Sequence, residues 1–297
     1  MKEKGMTRRS VEMLLAAVIT ARATSYLFSK LIMNSMGMFN LLGIRFLLAF
    51  FLMTLVFFRR IKTMDRTSFL AGVLMGGIYF LVMTAELSGL KRTSTGNVAF
   101  LENTAIVIVP LMQALLSRRF PRWTAVIGAT VSLVGIGFLT ISTGLRFGPG
   151  EAFCMLAAVL YAGAIVLTDR LTHGSIDAFN AGVVQVGTIG MLGMIASLLF
   201  ETPRLPVGLP EWGGVLMLAI VCTGFGFTLQ PVAQRGTTAE RAGVLCALNP
   251  FVAVVLGAAF LKESFTAQSV LGGGLILAGI LISEQQASKR KERILAT

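Results

Sequence analysis

The sequence predicts an all-α polytopic membrane protein: ten transmembrane helices arranged as two inverted five-helix repeats. Three observations carry this. First, the 297-residue chain is 55% hydrophobic and only 13% charged, with a mean hydropathy of +0.79; a soluble core that large would need a fuller polar shell. Second, the apolar residues gather in runs of roughly 20, the length that crosses a bilayer core about 30 Å thick. Third, the pattern recurs after about 140 residues, the mark of an internal duplication.

The spans follow in order. Lys2, Lys4, Arg8 and Arg9 precede a first span at 11–31, and a second at 38–58 ends before Arg59, Arg60, Lys62 and Arg66. A third, 69–90, closes at Lys91-Arg92, and a fourth, 94–116, at Arg118-Arg119. Trp123 opens a fifth at 123–141, as an interfacial tryptophan should. Gly144 to Gly150 forms the hinge into the second half. That half supplies 151–171, 178–200, 212–233 (opening on Trp212), 239–261 and 268–283, then the basic tail 287–297. The runs are too long and too apolar for the alternating ~10-residue strands of a membrane barrel. Short connections leave no room for a soluble domain.

Charge sets the orientation. The chain carries 26 Lys+Arg against 14 Asp+Glu, net +12. With the N-terminus inside, eighteen of the 26 fall on the cytoplasmic side and six opposite, while Arg22 and Arg45 lie within spans. That bias predicts a multi-pass inner (plasma) membrane protein with both termini cytoplasmic. The basic residues thus report topology, and no nucleic-acid partner is expected. The N-terminal run followed by Ala21-Arg22-Ala23 also imitates a signal peptide with its cleavage site, but the repeat needs it as a retained helix.

The duplication is read from matched segments in the same order. Leu15-Ala16-Ala17-Val18 recurs as Leu156-Ala157-Ala158-Val159, and Phe39-Asn40 as Phe179-Asn180. Gly72-Val73-Leu74-Met75 recurs as Gly214-Val215-Leu216-Met217. Gly128 and Gly135 recur as Gly272 and Gly279. The repeats span 10–145 and 146–286. Each holds five spans, an odd number, so the second must enter the membrane from the opposite side, an architecture tied to alternating access.

Several motifs resemble one family. They are Arg45-Phe46-Leu47-Leu48-Ala49 in the second span; Leu87-Ser88-Gly89-Leu90-Lys91-Arg92-Thr93-Ser94 between the third and fourth; Asn249-Pro250; Phe260-Leu261-Lys262-Glu263; and the closing Gly272…Gly279 helix. Together the chain resembles the EamA-type transporters of the drug/metabolite transporter superfamily over nearly its whole length. The resemblance implies ten helices around a central cavity, and efflux or exchange of a small metabolite such as an amino acid or a drug-like compound.

Candidate site residues come from polar groups placed at bilayer depth, where a charge is costly and so faces a partner or a wet cavity. At ~1.5 Å rise per residue, Arg22 lies ~16 Å from the inner face and Glu102 ~12 Å from the outer, nearly one level. The expectation is an ion pair or a split zwitterion site: Arg22 grips a substrate carboxylate with its bidentate fork, and Glu102 holds an amine or carries a coupled proton. A self-neutralising structural pair is the alternative. Glu86 is a second candidate for proton coupling, although Arg45 and Glu86, nearer the outer face, also read as structural or vestibule residues that snorkel. Tyr79, Tyr161, Asn103 and Asn249 complete the substrate-binding set. Pro110 and Pro250 are hinge candidates, since each removes a helix hydrogen bond.

Small-residue stripes at Gly128, Gly135, Gly272, Gly273, Gly274 and Gly279 read as scaffold or a homodimer surface. Cys154, Cys222 and Cys246 are unpaired in spacing, and His173 sits in a linker. No metal, cofactor or disulfide follows, and no phosphate loop implies direct nucleotide drive. The reading is therefore a transporter rather than an enzyme, with a small-molecule substrate, the bilayer and protons as partners. A lipid or lipid-linked-sugar translocase is the closest alternative; a membrane-embedded enzyme would need a catalytic cluster that the spans lack.

Overall fold

The structure, a computed structural model, describes residues 8–93, 98, 101–118, 123–140, 148–173, 176–246, 248–249, 252, 271–272, 274–279 and 282. Pro250, Gly273, most of the 239–261 and 268–283 spans, and the basic tail lie outside the described residues.

Helices make up the described chain: α1 Arg8–Ala23, α2 Ser25–Ile32, α3 Met38–Val56, α4 Phe58–Ile61, α5 Arg66–Leu90, α6 Ala105–Ser117, α7 Trp123–Thr140, α8 Pro149–Thr172 and α9 Ala178–Phe200. After them come α10 Gly208–Met217, a π-helical stretch Leu218–Phe227, α11 Thr228–Arg235 and α12 Ala239–Leu245. Among the described residues six helical runs are long and apolar enough to cross a membrane: Ser10–Ile32, Met38–Val56, Arg66–Leu90, Pro149–Thr172, Ala178–Phe200 and Gly208–Arg235.

Local chemistry sets the helix ends. Asp65 caps α5, its carboxylate accepting from the Ser68 amide at 2.9 Å. Asp177 caps α9 by accepting from the amides of Phe179 and Asn180. Pro149 opens α8, where its missing N–H costs nothing, and Glu151 reaches back to the Gly148 amide at 3.0 Å. Two spans depart from the uniform helices that the sequence predicts. The first is interrupted at Thr24, whose hydroxyl donates to the Ala21 carbonyl at 2.8 Å and so competes with the helix ladder. The eighth starts at Gly208, earlier than expected, and widens into the π-helical stretch. Pro231 has no N–H for the carbonyl of Phe227 four residues back, and the π geometry ends at that residue.

Helix α9 is the central packing element, lying along both α3 and α5. It runs antiparallel to α3. At one end Glu201 accepts from the amides of Phe39 (3.3 Å) and Asn40 (2.9 Å); at the other Arg60 pairs with Asp177 at 3.0 Å. Glycines allow the close approach: a Cβ on Gly190 would sit 2.7 Å from the Leu47 amide nitrogen, and one on Gly193 would sit 2.9 Å from that of Gly43. The small-residue stripes of the fifth and tenth predicted spans meet within the chain, Gly135 against the Gly272 carbonyl and Gly279 against that of Gly128. Their contact is a scaffold contact in this chain.

Candidate functional site

The end of α1, the start of α2, α5 and the π-helical stretch converge on buried polar side chains. Arg22 is only 7% exposed. Its Nη1 donates to Tyr161 Oη at 3.2 Å and to Gln230 Oε1 at 2.6 Å. Three aromatic rings surround the guanidinium, whose carbon lies 4.1 Å from the Phe227 centroid, 5.3 Å from Tyr161 and 5.7 Å from Tyr79. The rings brace each other edge to face, Tyr79 on Tyr161 at 6.2 Å and Tyr79 on Phe227 at 5.7 Å. Gln230 also donates to Tyr79 Oη, so one amide ties the tyrosine to the cation. Tyr161 Oη lies 3.2 Å from Cys246 Sγ. Such a cage holds a cation by ring quadrupoles and neutral acceptors. Gly226 makes room for it, since a Cβ there would come 2.8 Å from Arg22 Cγ.

The carboxyl side is separate. Glu102 Oε2 accepts from Tyr26 Oη at 2.7 Å, and Glu86, 4% exposed, is close enough to interact with it electrostatically. Arg45, 1% exposed, donates through Nη1 to Ser25 Oγ (3.2 Å) and Ser29 Oγ (3.1 Å), and through Nη2 to Met83 Sδ at 3.6 Å. Between the two sides is a small cavity lined by Arg22, Ser25, Tyr26, Met83, Glu86, Phe227 and Asn249. It leaves a water's centre about 10 Å³, room for roughly one water molecule. The Asn249 Oδ1 is buried without a hydrogen-bond partner.

The sequence expectations fare unevenly. Arg22, Glu86 and Asn249 line the cavity, and Tyr79 and Tyr161 belong to the Arg22 cage. The direct Arg22–Glu102 ion pair is corrected. Arg22 bonds to Tyr161 and Gln230, while Tyr26, one turn beyond Arg22, takes the Glu102 oxygen. Tyr79 and Tyr161 present their rings to the guanidinium and not as an open platform. The snorkelling reading of Arg45 and Glu86 is corrected as well. Both are buried, at 1% and 4% exposure, and Ser25 and Ser29 on successive turns offer Arg45 acceptors. Asn103 is buried beside Glu102 but is not among the cavity-lining residues. Pro110 lies buried within α6, away from the cavity lining, and Pro250 is outside the described residues. The sequence reading missed Tyr26, Ser25, Met83 and Phe227. Spacing held a signal only for Tyr26, four residues after Arg22 and so on the same helical face.

Comparison with known proteins matches this arrangement to a family. The model of the EamA-like transporter family matches the chain twice, at residues 9–141 and 148–284. An uncharacterized transporter of Archaeoglobus fulgidus is 25% identical over 94% of this chain and 87% of its own length. The uncharacterized transporter YetK of Bacillus subtilis is 24% identical over 91% of this chain and 85% of its own length. A probable biotin transporter of Pseudomonas aeruginosa is 29% identical over 60% of this chain and 64% of its own. One crystal structure shares the fold with a TM-score of 0.79 at 20% identity, covering 95% of this chain and 99% of that one. The chain is a multi-pass membrane protein and belongs to the EamA-like transporter family.

Proposed function

We propose that the protein is a secondary active or facilitative transporter. It moves a small metabolite, an amino acid or a drug-like compound, out across the inner membrane by alternating access. Ten helices in two inverted five-helix repeats, 10–145 and 146–286, rock around the Arg22 cavity with both termini cytoplasmic. The double family match and the antiparallel course of α3 and α9, the second span of each half, support the inverted repeat.

The observation that carries the functional reading is the cavity itself. It sets a caged guanidinium opposite the buried carboxyl groups of Glu86 and Glu102, deep among helices of both halves. Arg22 supplies a bidentate fork for a carboxylate, with Tyr79, Tyr161 and Asn249 beside it and Asn103 behind Glu102. The relative with biotin in its name supports a small organic cargo. Because the cavity now admits about one water, cargo enters only when helices part, and Pro110 and Pro250 are the hinges. Coupling to protons runs through Glu86 and Glu102, faced by Arg22 from α1, Tyr26 from α2, Arg45 from α3 and Cys154 from α8.

Flux into proteoliposomes, over a panel of amino acids, cations and nucleobases with and without a pH gradient, tests this. Arg22→Ala abolishes transport of the accepted cargo, and Glu102→Gln removes its response to the gradient. Unchanged kinetics in both variants overturn the reading.

A further inference from the structure

The groups that hold Arg22 are neutral, and one of them bears on the charge of the cargo; this inference rests on the reading that the Arg22 cavity carries that cargo. A buried cation is ordinarily paired with a carboxylate. Arg22 is not. Its hydrogen bonds go to Tyr161 Oη and Gln230 Oε1, its flat face lies on the Phe227 ring, and it forms no ion pair among the described residues. Glu86 lines the same cavity without closing such a pair. Gln230 is the nearer acceptor, at 2.6 Å against 3.2 Å, and is only 2% exposed. It is not among the cavity-lining residues, so it acts on a cargo only through the guanidinium.

Local structure places this amide. Phe227 and Gln230 are three residues apart and share a helical face, so the ring covers the guanidinium at 4.1 Å while the amide takes its edge. Gln230 lies just past the π-helical stretch, an irregularity that recurs at functional sites. Its orientation is set by its two partners. A guanidinium has no acceptor, so Oε1 faces Arg22, and the NH₂ is left to donate to Tyr79 Oη. A glutamate in this position would take the same edge with a full charge and spend the cation on protein. The amide oxygen accepts with a dipole only. Both bonds leave from Nη1, and Nη2 and Nε make no hydrogen bond among the described residues. Charge and donors are therefore left for a carboxylate, which a guanidinium binds through two parallel bonds.

We propose that Gln230 is the charge-selecting residue of the transporter. By holding Arg22 with a neutral oxygen it reserves the guanidinium for the carboxylate of the cargo, and the site takes a carboxylate in preference to the uncharged amide of the same shape.

The test uses the full-length purified protein and two matched pairs of probes, 3-phenylpropanoate with 3-phenylpropanamide and 4-methylpentanoate with 4-methylpentanamide. Folding is read from the thermal midpoint and binding from its shift with probe. In the natural protein an acid is expected to bind at least roughly tenfold more tightly than its amide, because hydrogen bonds between charged groups are the stronger kind. Gln230→Glu, nearly isosteric, should fold with a midpoint no lower than the natural one, since the buried cation gains a partner. It should lose acid binding at least roughly tenfold, and the acid its lead over the amide. Gln230→Met, neutral but without the acceptor, should weaken acid binding at most roughly threefold. Arg22→Gln removes it. If no acid binds the natural protein, or an acid binds Arg22→Gln equally well, the reading of the cavity falls and this inference with it. If an acid binds through Arg22 but no more tightly than its amide, or Gln230→Glu binds it as well as Gln230→Met does, or Gln230→Glu does not fold, the assignment of Gln230 alone is overturned.

Discussion

Replacing Arg22 with methionine separates a binding cation from a structural one. Several contacts are lost. Gln230 Oε1 and Tyr161 Oη lose the guanidinium at 2.6 and 3.2 Å. Tyr161 keeps Cys246, but Gln230 Oε1 is left an orphan acceptor, at roughly 1–3 kcal/mol. The three ring contacts contribute up to about 2 kcal/mol when desolvated. Against this, the variant no longer buries a guanidinium, whose effective desolvation penalty is several kcal/mol. Methionine fills the slot of Gly226 with a flexible thioether that packs favourably on aromatic rings. The two sides nearly cancel, so stability should shift by no more than about 2 kcal/mol in either direction. An arginine that neutralised Glu102 would behave otherwise: its removal strands a buried carboxylate, at roughly 3–5 kcal/mol. Denaturant unfolding of the purified protein in micelles measures the first quantity, and flux per folded molecule in proteoliposomes the second. Near-native stability with transport abolished is the expected result. A loss above about 3 kcal/mol with flux per folded molecule intact would refute the reasoning and make Arg22 a structural residue.

Three further outcomes follow from the packing and the caps. Gly190→Val places a Cβ 2.7 Å from the Leu47 amide nitrogen, a backbone atom that cannot turn aside. It should destabilise the α3–α9 crossing by about 1–3 kcal/mol or more, seen as a lower thermal midpoint. Asp177→Ala should cost more stability than Arg60→Ala: the exposed ion pair contributes at most about 1 kcal/mol, whereas Asp177 also caps Phe179 and Asn180, worth roughly 0.5–2 kcal/mol; unfolding of both variants checks the order. The Asp65 carboxylate is held well below the usual carboxylate range, first by the Ser68 hydroxyl, then by that of Thr67 and the Ser68 amide. A lowered folded value means that its contribution is fully present above the unfolded carboxylate range and fades only below it. Unfolding curves of the natural protein and Asp65→Asn should keep a constant gap from pH 7 to 5, and the gap should narrow as pH falls below about 4.

The long apolar spans were legible because the signals for them are one-dimensional. A run of about 20 apolar residues must be buried or cross lipid, whatever its neighbours do, and spans 38–58, 69–90, 151–171 and 178–200 match α3, α5, α8 and α9 within a few residues. The two misread spans had less visible causes. Thr24 interrupts the first with a single hydroxyl, and Pro231 acts on a carbonyl four residues earlier. The site was half legible: Arg22, Glu86, Glu102 and Asn249 stand out as polar residues in apolar runs. Phe227 is one of 21 phenylalanines, and composition alone gives no reason to choose it.

Position along each helix is additive, ~1.5 Å per residue, so the sequence by itself determined which charges lie deep within an apolar run and which ends carry the basic residues. Rotation about the helix axis is different. Spans that are apolar on every side carry no preferred face, and a break at Thr24 and a π-helical stretch each shift the register after them. Only the packed bundle decided that Arg22 turns to Phe227, Gln230 and Tyr161 and that Tyr26 takes Glu102. The partners of a buried charge follow from how helices turn against each other, and that is a property of the assembled core.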